Sequence, residues 1–440
     1  MKPSEELEAI AKQQGCCLED LKFAQYMDTI DPIRPLRLYK VLYVSADLSI
    51  VNGEEDCVYF CGNSLGLCPK KTKEYMDIEI DKWSKLGVQG HTNGDLPWAY
   101  CDERIDKDMA KIVGTFKYSV NFYMLYFQIS FYQPTKDRHK ILCEGKAFPS
   151  DHYAFESQIK LHGYDPATSL RLLEPREGEF TLRTEDIIKT IEEEGESIAV
   201  ICLSGVQYYT GQYFDIPTIT QAGQKQGCYV GWDLAHAAGN LPLYLHDWGV
   251  DFACWCSYKY LCGSAGTVAG FFLHEKYRNN NFPKLLGWWG HNMDTRFQMD
   301  NVMDLSPGAY GYRISNPPGF LCVPIKAKLR TKSKLLTGYL EMLIKKHYGR
   351  QETNNASATG VYIDIFTPSD PEQRGAQLSL SFSICIQTIF KELEKRGCDK
   401  RYPRVIRISP VPIFCSFQDV HRFMKYLYDS IQAAKDSNLK

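Results

Sequence analysis

Short apolar runs recur between residues 197 and 273, and no other feature restricts the fold of this chain as strongly. They are Ser197–Val206 (SIAVICLSGV), Cys228–Trp232 (CYVGW), Val250–Cys256 (VDFACWC) and Thr267–Leu273 (TVAGFFL). A short run that is apolar throughout, rather than alternately, suits a strand covered on both faces. Ile219–Gln226 lies between the first two runs, reads as a helix and leads into Gly227. Strands separated by helical stretches predict a largely buried, mainly parallel sheet with crossovers. The last run directly follows a Gly-rich loop, which predicts antiparallel pairing there.

The flanks have a different character. Residues 4–90 read mostly as helix, as in Asp77–Leu86 (DIEIDKWSKL), with a turn-rich tetrapeptide at Asn63-Ser64-Leu65-Gly66. Past about residue 310, Lys334–His347 carries Leu335, Leu336, Tyr339, Leu340, Leu343 and Ile344 on one helical stripe. Gln377–Ser383 alternates polar and apolar residues, Thr388–Arg396 reads as helix and Val405–Ser409 as strand. A chain of 440 residues is too long for one simple core. The expected class is therefore α/β, a large domain built on a mainly parallel sheet with a smaller α+β C-terminal domain. The expected segments are 1–60 (N-terminal, helical), 61–310 (large domain) and 311–440 (small domain).

Composition narrows the partners. The net charge of −2 gives no reason to expect nucleic acid or an anionic membrane. The basic clusters Lys332–Lys334 and Lys345-Lys346 are short and read as solvated helix faces. Phe122–Tyr132, the longest apolar stretch, is broken by Gln128 and Ser130 and is too short to cross a bilayer. The N-terminus MKPSEELEAIAKQQG lacks the apolar core of a signal peptide. The 16 cysteines are scattered, with no CxxC pairs at zinc-site spacing, so no metal site is expected. Thiols in a reducing cytosol are the default, which predicts a cytoplasmic protein.

The chemistry concentrates where the runs end. Asp233 follows the second run, in Trp232-Asp233-Leu234-Ala235-His236-Ala237, and strand C-termini of an open α/β sheet face the ligand crevice. A carboxylate there can keep a pyridine nitrogen protonated. Lys259 follows the third run in Ser257-Tyr258-Lys259-Tyr260, an amine among aromatic neighbours that can form a Schiff base. Gly263, Gly266 and Gly270 come next and allow close backbone approach. Singly, an Asp before a helix is an N-cap, a Lys is a surface residue and a His at a helix start is structural. Their order along the chain is far more specific than any one of them.

That order, D-L-A-H-A and then C-S-Y-K-Y, resembles the fold-type-I pyridoxal-phosphate (PLP) enzymes related to aminotransferase class V. A longer set of motifs resembles the kynureninase family: Asn63-Ser64-Leu65-Gly66, Lys146-Ala147-Phe148-Pro149-Ser150-Asp151, Ser204-Gly205-Val206, Tyr209-Thr210-Gly211-Gln212, His246-Asp247-Trp248-Gly249-Val250-Asp251, Gly287-Trp288, Arg313-Ile314-Ser315-Asn316-Pro317-Pro318 and Ile406-Arg407-Ile408-Ser409-Pro410. The resemblance implies PLP on Lys259, with Asp233 on the ring nitrogen, His236 flanking the ring and Phe148 stacked on it. Pro149, Ser150, Asp151 and Ser204 would lie near the cofactor. Tyr258, Trp288 and Asn316 would complete its cradle, with Tyr258 and the Trp288 indole N–H reaching phosphate. Arg407 would fork onto the substrate α-carboxylate. His91 and Asn316 would face the substrate ring, with Ser64, Trp289 and Ser315 also on the substrate side. Lys259 and Tyr258 would carry protons.

The implied reaction is hydrolysis of L-kynurenine or 3-hydroxy-L-kynurenine to anthranilate or 3-hydroxyanthranilate and L-alanine, in tryptophan catabolism leading to NAD. The implied assembly is a homodimer with the site near the subunit interface. Two stretches are shorter than the family pattern: Thr115–Tyr123, where the family holds the phosphate with a Leu-Thr pair, and Gly319–Lys334, which Pro324 interrupts. Two lost charge-assisted hydrogen bonds, at about 1.5–3 kcal/mol each, would weaken cofactor binding by roughly 10²- to 10⁴-fold. This leaves a cofactor-deficient, non-catalytic relative as the alternative. A cysteine desulfurase fits less well, because no Cys sits in an obvious Gly/Ser-rich mobile loop.

Overall fold

The computed structural model describes residues 2–32, 47, 49–51, 56–115, 130–316, 330–350, 360–399 and 405–438. Most of both shortened stretches, at 116–129 and 317–329, lies outside the described residues. In chain order the N-terminal elements are α1 (Pro3–Gln13), α2 (Leu21–Thr29), β1 (Val58–Tyr59), α3 (Lys71–Leu86) and α4 (Cys101–Val113). The middle follows as β2 (Lys140–Glu144), α5 (Pro149–Leu161), β3 (Leu170–Leu173), α6 (Thr184–Glu194), β4 (Ile198–Ser204), α7 (Ile216–Lys225), β5 (Tyr229–Asp233), β6 (Phe252–Cys256) and β7 (Ala269–Leu273). The C-terminal part holds α8 (Arg330–Tyr348), β8 (Ile363–Ile365), β9 (Leu378–Phe382), α9 (Ile386–Lys395), β10 (Cys398–Asp399), β11 (Ile406–Ile408) and α10 (Phe417–Asn438).

The chain divides into two compact units, one of residues 71–208 and 213–326, the other of 1–70, 209–212 and 327–440. The first contains a six-stranded sheet in the order β3-β2-β4-β5-β6-β7. Every pairing in it is parallel except β6 with β7. The antiparallel pairing expected after the Gly-rich loop is thus present. Every residue of β4 is buried, as befits a central strand covered on both faces. Ile187 and Ile191 of α6 and Ile216 and Ile219 of α7 share one core with Ile201, Leu203, Val230 and Trp232. Phe155 and Ile159 of α5 share another with Ile141, Cys143, Val200 and Phe252. Burying a side chain of this size contributes about 1.5–3 kcal/mol, so the two cores fix which way each strand end points. Helix α7 starts where its sequence says it should, with Asp215 Oδ1 accepting the Thr218 amide at 3.2 Å.

The second unit is α+β. Its three-stranded sheet has the order β11-β9-β8 and is antiparallel throughout. Beside it β1 pairs in parallel with β10, Val58 opposite Cys398, inside a region that the sequence pattern reads mostly as helix. Phe23 of α2 packs on Tyr339 of α8 with ring centroids 5.5 Å apart.

Candidate active site

Strand register assembles the site. In the large sheet Ser204, last residue of β4, lies opposite Asp233, last residue of β5, and Asp233 lies opposite Cys254 of β6. Their side chains therefore emerge together at the carboxyl end of adjacent parallel strands, where the helices return and leave a crevice. β6 then runs into the Ser257–Lys259 turn, closed by Cys262 N–H donating to the Lys259 carbonyl at 3.1 Å and Gly263 N–H donating to the Ser257 carbonyl at 2.9 Å. Helix α5 enters from β2 with Pro149 in its first turn, a position that needs no amide donor. That turn carries Asp151, only 6% exposed, toward the strand ends.

A cavity of about 190 Å³ results, lined by Phe148, Ser150, Asp151, Ser204, Asp233, His236, Tyr258 and Lys259, and also by Val206, Tyr208, Ala235, Cys254, Trp255, Cys256, Ala269 and Gly270. The Lys259 ammonium lies 3.1 Å from His236 Nε2. An ammonium only donates, so wherever Lys259 carries its charge Nε2 must be the accepting nitrogen of a neutral imidazole. Lys259 Nζ is also 5.9 Å from the Phe148 ring centroid and 5.8 Å from that of Tyr258. Phe148 stands edge-on to Tyr208, centroids 5.2 Å apart, and is itself 46% exposed, so a face of its ring is open to a ligand.

The cavity floor is acidic. Asp151 and Asp233 are hydrogen-bonded to each other, and Asp233 Oδ1 also accepts the Ala235 amide at 2.8 Å. Burial holds the Asp151 carboxyl well above the usual carboxylate range, and the neighbouring Asp233 charge and shared hydrogen bond add to it. Behind them Glu144, last residue of β2, accepts hydrogen bonds from the Ser204 hydroxyl and, at 3.3 Å, from the Ser204 amide. Burial raises the Glu144 carboxyl too, against those hydrogen bonds. Burial and the adjacent Cys256 push the Tyr258 phenol up to about 12, so it keeps its proton and remains a donor at neutral pH.

The ring end of PLP fits this donor set. A protonated pyridine nitrogen would bring a cation and an N–H to the hydrogen-bonded Asp151–Asp233 pair. Phe148 offers an aromatic face and Lys259 an amine on the same cavity.

The remaining expected residues are placed elsewhere. The Trp288 indole N–H donates to the Arg296 carbonyl at 3.2 Å. Trp289 is buried with the Arg296 guanidinium 4.4 Å above its ring. A Cβ on Gly287 would sit 2.2 Å from the Ile314 carbonyl oxygen, so the Trp288–Trp289 segment packs directly on the Ser315–Asn316 segment. The Asn316 side-chain oxygen is buried with no hydrogen-bond partner among the described residues. His91 ends a 3-10 turn, Gly87–His91. Ser64 and Arg407 belong to the other unit, where Cys61 bridges to Ser409 and Arg407 pairs with Ser379. Sequence reasoning missed Glu144 and Tyr208. Tyr208 sits just past Ser204-Gly205-Val206, inside the run of matched motifs; Glu144 ends a charged strand that gives no such signal.

Residues 168–288 match the family described as aminotransferase class-V, and residues 329–427 the kynureninase C-terminal domain. The fold agrees with solved PLP-enzyme structures. A C-DES mutant with glycine covalently linked to its PLP cofactor superposes with a TM-score of 0.67 at 14% identity, covering 87% of this chain and 99% of that one. The apo cysteine desulfurase of Thermococcus onnurineus NA1 superposes with a TM-score of 0.63, also at 14% identity, covering 86% and 95%. At that identity the likeness concerns the fold and carries no desulfurase reaction. Fold and site together define a fold-type-I, PLP-dependent enzyme of the class-V branch.

Sequence comparison resolves the branch. The chain is 49% identical to human kynureninase, covering 99% of this chain and 98% of that protein. It is 46% identical to the kynureninase of Nematostella vectensis, covering 97% of each. It belongs to the kynureninase family. The human alignment runs over 464 positions against 440 residues here, so the relatives carry stretches this chain lacks.

Proposed function

We propose that this chain hydrolyses the Cβ–Cγ bond of L-kynurenine or 3-hydroxy-L-kynurenine, releasing L-alanine and anthranilate or 3-hydroxyanthranilate, a step of tryptophan catabolism toward NAD. One observation carries the reading. In a chain 49% identical to human kynureninase, Lys259 and a hydrogen-bonded Asp151–Asp233 pair face one cavity beside an open Phe148 ring. Bound PLP supplies an electron sink for the substrate's α-carbon. Asp233, backed by Asp151, would hold the ring N–H and Phe148 would cover one ring face; Pro149 fixes the start of the helix that presents Ser150 and Asp151. Ser204 and His236 would orient the ring, with His236 Nε2 3.1 Å from Lys259 Nζ. Lys259 Nζ would take the substrate's α-proton, and the Tyr258 hydroxyl would give a proton to Cβ as the Cβ–Cγ bond breaks. Trp288 and Asn316 border the cofactor cradle. By motif, Arg407 is assigned to the α-carboxylate, and Ser64, His91, Trp289 and Ser315 to the substrate side. Water adds to the γ-carbonyl and the aryl acid leaves.

The enzyme acts as a cytoplasmic homodimer in this reading. No described helix is long and apolar enough to cross a membrane. Purified protein given PLP acquires a visible absorbance band and converts 3-hydroxykynurenine to 3-hydroxyanthranilate. Lys259→Ala removes the band and lowers kcat by about 10³-fold or more. A folded protein that shows neither band nor turnover would sink the proposal in favour of a non-catalytic relative.

A further inference from the structure

Helix α3 buries charge: its buried residues include Glu79 and Lys82. Lys82 Nζ lies 2.5 Å from Glu79 Oε2, with both side chains under a tenth exposed. A buried ion pair loses hydration and is weak evidence for stability on its own, so what it touches matters. Its contacts are with one segment, Gly90–Trp98. The Trp98 indole N–H donates to Glu79 Oε2 at 2.8 Å. Lys82 Nζ donates to the Leu96 carbonyl at 2.6 Å and lies 4.8 Å from the Trp98 ring centroid. Trp98 is thus held by its N–H and by a cation on its face.

Trp98 in turn holds His91. A Cβ on Gly90 would come 2.6 Å from Trp98 Cη2, so the backbone just before His91 lies against the indole. The His91 ring then meets Trp98 edge-on, centroids 5.5 Å apart at 88°. We propose that Glu79, Lys82 and Trp98 are positioning residues that fix the plane of the His91 ring, and through it the grip on the aryl ring of the substrate. This rests on the assignment of His91 to the substrate side.

The test is a double-mutant cycle on KM and kcat, using kynurenine and 3-hydroxykynurenine with the PLP-loaded full chain. Trp98→Phe keeps a ring edge near His91 and removes the N–H donated to Glu79. It raises KM roughly 3- to 10-fold, by more than it lowers kcat. In a His91→Phe background the same substitution changes KM no further, because the residue it acts through is gone. A merely structural role gives the same factor in both backgrounds, and that result overturns the proposal. If His91→Phe alone leaves KM unchanged for both substrates, the substrate-side assignment fails first and the proposal falls with it. Should Trp98→Phe not fold, Glu79→Gln removes the charge at nearly constant shape and enters the same cycle, with the same two decisive outcomes.

Discussion

Burial beside a second carboxyl raises the pKa of Asp151, and this has a consequence for the protein without cofactor. A carboxyl whose folded-state pKa is raised binds its proton more tightly folded than unfolded. Below about pH 3.9 both states are protonated and the group contributes nothing. Above that the unfolded chain ionises while the folded one does not, so stability falls as pH rises, by at most about 1.4 kcal/mol per pH unit, until Asp151 ionises in the fold. Its causes are burial, the Asp233 charge and the shared hydrogen bond. Asp151→Asn keeps the shape and removes the titration. The apo variant is expected to melt above the apo wild type at pH 7, with the gap closing toward pH 4, read by thermal unfolding across that range. A gap that is constant with pH would mean that Asp151 is not the titrating group. Asp233 and Lys259 are legible in sequence because each is a charge set at the end of an apolar run. The pairing of Asp151 with Asp233 is not, since it joins a helix start to a strand end through the fold.

Among the elements, the strands β4 to β7 are readable because each is buried on both faces and so apolar throughout. β2 and β3 are harder: Lys140 and Glu144 bound one, and Arg171 interrupts the other. β1 with β10 is invisible locally, since Val58 finds Cys398 across most of the chain. The antiparallel β6–β7 pair depends on a glycine. Gly270 lies opposite Trp255, and a Cβ there would come 2.4 Å from the indole Cε2. Trp255 is only 2% exposed, so displacing its ring disturbs packed neighbours. Gly270→Ala is expected to cost about 1–3 kcal/mol by overpacking, measured as a lower urea midpoint with unchanged slope. By contrast Gly266, at φ +78°, meets nothing within 4 Å, so its role is the turn itself. Gly266→Ala therefore costs less than Gly270→Ala, on the order of 1 kcal/mol, and equal losses would show that Trp255 can move aside.

At the scale of the whole molecule, α3 poses a question of assembly. It turns Glu79 and Lys82 inward while Ile78 is 49% and Trp83 61% exposed, and Val88 just beyond its end is 75% exposed. A helix of a self-sufficient monomer places its apolar stripe inward, and large exposed apolar patches mark interaction surfaces. The homodimer proposed above would cover these exposed apolar side chains with a second copy. The energetic reason is symmetric: a two-fold interface presents the same patch twice, so each buried Ile or Trp counts on both subunits. Charges placed there act twice for the same reason. Ile78→Lys with Trp83→Glu, at positions 49% and 61% exposed, is expected to leave the fold intact and shift the particle to the 50.4 kDa mass of one chain. Light scattering on the eluting peak, with circular dichroism on the same fraction, reads both. A wild type that already runs at the mass of one chain at micromolar concentration would remove the homodimer, and the exposed face of α3 would then need another occupant. A double variant that keeps the mass of two chains would move the interface away from α3 and leave the assembly standing.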